Sequence, residues 1–176
     1  MRNVLLSQSG EAFTIGFLAD AIRDALHRYK KREKLTPGNK NSLKKAMAFL
    51  DKIYKGYLLA LPKNKVEELG QQMPSYNTEY AVAFNYAIKA WTALELPLTA
   101  EAIRERINSY YSTLKEIQED AECKRQLDEN KLLELQRFFS KISELTLRQV
   151  EQQAIWAPFL RTLELRGSNG PLLLHR

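Results

Sequence analysis

Apolar residues recur along this chain at three- and four-residue steps, the period of helices buried on one side. The first run is Ile15, Leu18, Ile22, Ala25 and Tyr29, widened by Phe13, Phe17 and Leu26. Ser9 stands where an N-cap is expected and Glu11 falls in the first turn, where an anion suits the helix dipole. Residues 1–8 read as a loose lead-in. Leu35-Thr36-Pro37-Gly38-Asn39 reads as a turn, with Asn41 or Ser42 as the cap of a second helix. Leu43, Met47, Leu50, Tyr54, Tyr57 and Leu61 form that helix's apolar stripe, flanked by Ala46, Ile53 and Leu58, and Pro62 ends it. Val66–Gly70 reads as a short helical turn, and Met73-Pro74-Ser75 as a further break.

Asn77 is placed to cap the most apolar stretch, Tyr80–Leu94, in which twelve of fifteen residues are apolar. Its exceptions, Asn85, Lys89 and Thr92, share one narrow stripe at helical spacing. A helix apolar nearly all round is buried, so this one is expected at the centre, with Tyr80, Phe84, Tyr86 and Trp91 in the core. Leu96-Pro97-Leu98 interrupts the chain, and Thr99 with Glu101 opens the next helix, whose stripe is Ile103, Ile107, Tyr110 (or Tyr111), Leu114 and Ile117. Around Asp120–Asn130 the pattern weakens and charge rises, which reads as a helix end or an exposed connection. Leu132, Leu135, Phe138, Phe139, Ile142, Leu145 and Val150 mark a last long helix, ending by Pro158. Residues 159–176 form a tail, turn-like at Arg166–Pro171 and apolar at Leu172-Leu173-Leu174.

The 176 residues are 44% hydrophobic with only seven Gly and six Pro. That composition supports a packed core and gives little turn chemistry for many short strands. The expected fold is all-α: a single-domain bundle over 1–176, of about five helices around Tyr80–Leu94. A single cysteine, Cys123, excludes an internal disulfide and most zinc sites. No apolar window reaches the ~20 residues of a membrane span, and Val4-Leu5-Leu6 is too short for a signal-peptide core. A cytoplasmic setting, with no membrane partner, is expected.

Charge changes the picture. Between Arg28 and Lys65 twelve cations face only Glu33 and Asp51, which leaves +10 in a protein whose net charge is +6. From Glu67 to Glu151 acids outnumber bases fifteen to ten, so a basic half ending near residue 65 precedes an acidic one. The candidate binding residues are Arg28, Lys30, Lys31, Arg32, Lys34, Lys40, Lys44, Lys45, Lys52 and Lys55. A helix C-terminus attracts two or three cations through its dipole, fewer than the five between Arg28 and Lys34. On the second helix, at ~100° per residue, Lys44, Lys45, Lys52 and Lys55 fall within an arc of about 100° opposite the apolar stripe. Asp51 is the only acid there, whereas an ordinary solvated face mixes signs.

Catalytic signatures are missing. The histidines are His27 and His175, neither beside a nucleophile with an orienting acid. Asp24 and His27 make one metal-ligating fragment where a di-iron bundle needs two Glu-x-x-His motifs. No glycine-rich phosphate loop follows a strand, and Glu101 with Glu105, like Glu116 with Asp120, is the acid pairing of a solvated helix. The expectation is no enzyme, no metal and no cofactor. Lysines are point charges suited to phosphates, whereas a recognition helix offers Arg, Asn or Gln to base edges. Nucleic-acid backbone is therefore the expected partner. Tyr29, Tyr54 and Tyr57 could stack on unpaired bases but are expected in the core with exposed hydroxyls.

The belt His27-Arg28-Tyr29-Lys30-Lys31-Arg32, the Lys44/Lys45/Lys52/Lys55 face, the buried helix and the acidic helices after it together resemble the small helical subunit of type I CRISPR surveillance complexes (Cascade), the type I-D kind among them. The resemblance is one of architecture, size and charge. It implies a non-catalytic protein of antiviral defence, present in several copies within a ribonucleoprotein complex. It further implies contacts with other complex subunits, and a basic face supporting the guide RNA–target DNA duplex and the displaced single strand. The charge polarity suggests copies stacked head to tail. The alternative is a protein–protein adaptor, or a module for anionic surfaces, without nucleic acid.

Overall fold

The computed structural model describes residues 11–120 and 122–145, with the backbone alone for 11–14. Among these residues three-quarters are helical and none is in a strand, which bears out the all-α bundle. The helices are α1 (Glu11–Lys30), α2 (Pro37–Ala60), α3 (Lys63–Glu68), α4 (Thr78–Ala93), α5 (Ala100–Glu119) and α6 (Glu129–Glu144). The five long ones are those the periodicity predicts, and the short α3 begins three residues before the turn expected at Val66. The expected Ser9 cap, the extension of the last helix through Val150 to Pro158 and the tail lie outside the described residues.

Polar caps fix where most of the helices begin. Asn77, Thr99 and Asp128 each accept a backbone N–H from the first turn of α4, α5 and α6, satisfying a donor that has no partner inside the helix. For α2 the expectation of Asn41 or Ser42 is wrong. Thr36 is the cap, in a reciprocal box with Asn39 at 3.0 Å in both directions. Pro37, expected in a turn, instead fills the first helical position, where a missing N–H leaves no bond unmade and φ is already helical. Three helices end alike. The pairs of bonds Arg32 N→Tyr29 O with Glu33 N→Arg28 O, Gly70 N→Glu67 O with Gln71 N→Val66 O, and Glu95 N→Thr92 O with Leu96 N→Trp91 O are the Schellman pattern. The left-handed residue of each is Arg32 (φ 61°), Gly70 (φ 71°) and Glu95 (φ 57°).

Helices α2 and α6 each pack on α1, α4 and α5. The core is continuous from Ile15 to Ile142. Every residue from Ala81 to Ile88 is buried, as expected of the most apolar helix. Asn85 departs from the expected polar stripe, since at 2% exposure it lies inside the core. On α2 the buried side is turned from the expected stripe towards Phe49, Ile53 and Gly56, leaving Met47 and Tyr54 half-buried. The cause is the close crossing of α4. A Cβ on Gly56 would overlap the Tyr80 carbonyl oxygen and stand 2.6 Å from the Phe84 Cβ, so glycine alone lets the two backbones meet there. Of the aromatics left open, Tyr110 is buried and Tyr111 is 40% exposed; Phe17, expected in the core, is 58% exposed.

Where α4, α5 and α6 meet, the core carries a polar chain. Trp91 Nε1 donates to Tyr110 Oη at 3.2 Å, and that hydroxyl donates to Glu134 Oε2 at 2.6 Å. Arg106 lies 5.0 Å over the Trp91 ring and 3.9 Å from the same carboxylate oxygen, and it donates to the Pro97 carbonyl. Its Nη1 is buried without a hydrogen-bond partner among the described residues. Phe138 stacks on Trp91 at 5.4 Å and tilts against Tyr110 at 5.0 Å; buried side chains of this size contribute roughly 1.5–3 kcal/mol each.

Candidate nucleic-acid interface

The end of α1, the link Lys31–Thr36 and the start of α2 form a tip, and its shape follows from a few short-range bonds. Leu35, 3% exposed, anchors the link in the core between two exposed stretches. Asp24 on α1 ties the two helices, accepting from Asn39 Nδ2 at 3.0 Å and from Arg28 Nε at 3.3 Å. The Asn39 hydrogen bond, with help from the Arg28 charge and against some burial, holds the Asp24 carboxyl below its ordinary pKa. Arg28 also lies 3.7 Å from Glu33. One tip cation is thereby neutralised, together with the only acid between Arg28 and Asp51.

The remaining cations of the tip are uncompensated. Lys30, Lys31, Arg32, Lys34, Lys44 and Lys45 are exposed and Lys40 is half-buried; none of the seven has an acid within ion-pair distance among the described residues. Helix α2 also has no acid in its first turn, whereas α4, α5 and α6 carry Glu79, Glu101 and Glu129 there. Its positive dipole end therefore adds to the lysine field and is not offset by a side chain.

Further along α2 the lysine arc divides. Lys52 Nζ is 2.9 Å from Glu79 Oε1, both side chains little more than a quarter exposed. Lys55 pairs with Asp51 at 3.0 Å and lies 5.4 Å over the Tyr80 ring; the Asp51 hydrogen bond and charge raise its pKa. Lys44 and Lys45 have no such partners and join the tip. Of the ten residues expected to bind, the fold thus brings seven together as bare charge and engages Arg28, Lys52 and Lys55 with acids.

A second segment meets the tip from 90 residues away. Tyr29 Oη donates to Asp120 Oδ2 at 2.7 Å in the interior, and the Cys123 thiol donates to the Glu33 carbonyl at 2.9 Å. Asp120 also accepts the backbone N–H groups of Lys124 and Arg125 at 3.0 and 2.7 Å. Burial works to raise the Asp120 pKa, but these three bonds outweigh it and hold the carboxyl below its ordinary value; burial and the same carboxylate push the Tyr29 phenol up. The expected exposed hydroxyls are corrected twice, for Tyr29 and for Tyr57, whose hydroxyl donates to the Ala100 carbonyl in the core at 3.0 Å. No local pattern reveals these pairings.

The remaining candidate chemistry does not converge. No group of three metal-ligating side chains is present among the described residues. Asp24 faces Asn39 and Arg28, and Asp120 is taken by Tyr29 and two amides. A polar groove of about 480 Å³ between α5 and residues 126–131 is lined by Glu105, Glu116, Asp128 and hydroxyl side chains, with no histidine among its lining residues. No described helix is long and apolar enough to cross a membrane. Comparison with protein-family models, with curated proteins and with solved structures finds no match to the chain.

Proposed function

We propose that this chain is a non-catalytic subunit that grips the phosphate backbone of nucleic acid with the α1–α2 tip. The supporting observation is the set of seven cations between Lys30 and Lys45 that no described acid compensates, displayed by a link anchored in the core. Lysine-rich faces of this kind meet phosphates and carry no code for bases. The test is fluorescence anisotropy with labelled single-stranded and duplex oligonucleotides over a salt series. The logarithm of affinity should fall linearly with that of salt, by about 0.7–0.9 per phosphate contacted, with roughly four to six contacts. K31Q/R32Q/K34Q and K44Q/K45Q should each flatten the slope, while K52Q/K55Q should leave it nearly unchanged. Slopes identical to that of the parent in all three variants would refute the assignment.

The specific form proposed is a Cascade-like small subunit beside a guide–target duplex, and it predicts that RNA and larger protein subunits co-purify with the native protein. Self-association in such an assembly would use the outer face of α5, where exposed Glu101, Glu105, Glu116 and Glu119 fall on one helical stripe. Salt should then dissociate copies and tip variants should abolish association; salt-insensitive association rejects the stack. Binding to anionic vesicles in flotation, without binding to oligonucleotides, would move the function to the adaptor class.

A further inference from the structure

We infer that the binding face is composite, with Lys124 and Arg125, from the acidic half of the sequence, contacting the same phosphate strand as Lys31–Lys34. The inference rests on the backbone-binding proposal above and extends it to a segment that no charge run marks. The geometry is specific. The thiol of Cys123 is bonded to the Glu33 carbonyl, inside the tip itself, and the next two amides are held by the Asp120 carboxylate that also receives the Tyr29 hydroxyl. Cys123 takes a left-handed conformation, φ 58°, in this turn. A buried carboxylate thus fixes the two cationic residues of the loop against the end of α1.

The side chains they present are exposed. Lys124 has no ion pair among the described residues, and Arg125 reaches Glu119 only at 4.0 Å with both groups more than half exposed, a contact too wet to hold the guanidinium. Exposed Glu122 and Asp128 oppose them in the loop, with Glu119 and the buried Asp120 beside them at the end of α5.

The test compares four full-length variants in the salt-dependence assay, with a labelled single-stranded oligonucleotide. K124Q/R125Q should lower the slope by about 1.4, two contacts' worth on a single strand, and weaken binding at 0.1 M salt by roughly 25-fold. E122Q should tighten binding. K63Q/K65Q removes the same net charge at the far end of α2, ~35 Å from the tip, and should leave the slope unchanged. A slope unchanged in K124Q/R125Q but flattened in K31Q/R32Q/K34Q overturns the composite face and leaves the tip in place. Slopes unchanged in both overturn the tip as well. Equal losses in K124Q/R125Q and K63Q/K65Q would show that net charge alone is read, which also overturns the inference.

Discussion

Arg32 occupies a position that a glycine would fill more comfortably, and replacing it separates stability from binding. It is the left-handed residue that closes α1, at φ 61°, with its N–H bonded to the Tyr29 carbonyl at 2.9 Å. A non-glycine residue in this region carries roughly 1–2 kcal/mol of steric cost. Glycine removes that cost but loses about 0.5–1 kcal/mol through its greater freedom in the unfolded chain. Arg32→Gly should therefore stabilise the fold by about 0.5–1 kcal/mol, a rise in Tm of about 1–4 °C for a domain of this size. The side chain is exposed and forms no ion pair among the described residues, so no tertiary contact offsets the gain.

The matched control is Glu95→Gly. Glu95 closes α4 by the same pair of bonds at φ 57°, and Gly70 already occupies the equivalent place in α3. Urea denaturation should show a similar gain for both variants, with unchanged m-values. Only Arg32→Gly should reduce the salt slope of oligonucleotide binding, by about 0.7–0.9. Destabilisation of both variants would refute the strain argument. Stabilisation of both with unaltered binding would remove Arg32 from the interface.

Other consequences are equally direct. Gly56→Ala should destabilise by about 2–3 kcal/mol despite alanine's better helix propensity, because the new Cβ must displace the backbone of α4; an unchanged urea midpoint would mean that the helices do not cross so closely. Glu134→Ala removes the acceptor of Tyr110 and the partner of Arg106, and should lose about 1–2 kcal/mol in the same assay; adding Arg106→Met should recover part of the loss, since the charge left behind is gone. Tyr29 and Tyr110 have phenol pKa values raised first by burial and then by their carboxylate partners. Their contribution is present below the unfolded value near 10 and is lost as pH rises beyond it, so urea midpoints should decline in alkali, less steeply in Tyr29→Phe. The carboxyls of Asp24 and Asp120 are depressed; their contribution is present above about pH 4 and is lost as pH falls through their folded values. Asp120→Asn should flatten that acid limb, and an acid limb as steep as the parent's would contradict it.

What the sequence reveals follows the range of the physics involved. Helical period is local, so the five long helices, the caps Asn77 and Thr99 and the core faces of α5 and α6 are legible directly. The start of α2 is misread because Pro37 and Gly38 suit a turn and a first helical turn equally. Thr36 decides between them, through a reciprocal bond with Asn39 that is itself tied to Asp24 on another helix. The orientation of α2 depends on what it packs against; nothing near Gly56 in the sequence says that Tyr80 and Phe84 cross there. Charge is similar. The run from Arg28 to Lys65 is visible as composition, but Glu79, 27 residues from Lys52, is what separates an engaged lysine from an available one.

The cations that stay uncompensated oppose the stability of the fold, and this gives them a thermodynamic signature. Arg32 carries backbone strain, Lys40 falls within the first turns of a helix whose positive end holds no acid, and Lys30, Lys31, Arg32 and Lys34 repel one another. At a helix N-terminus a cation is unfavourable by about 0.3–1 kcal/mol at low salt. While the steric cost at Arg32 stays, a bound polyanion would relieve the dipole and repulsion terms together. Its stabilising effect is set by mass action: about 2.7 kcal/mol at a free ligand concentration of 100 Kd, a rise in Tm of about 5–11 °C. Thermal melts with a single-stranded oligonucleotide at low salt should show that rise, and it should vanish near 1 M salt as counterions replace the lysines. K31Q/R32Q/K34Q should melt no lower than the parent without ligand and should lose most of the ligand-induced shift. If the variant instead melts well below the parent while retaining the shift, the tip is a structural element and the nucleic acid binds elsewhere.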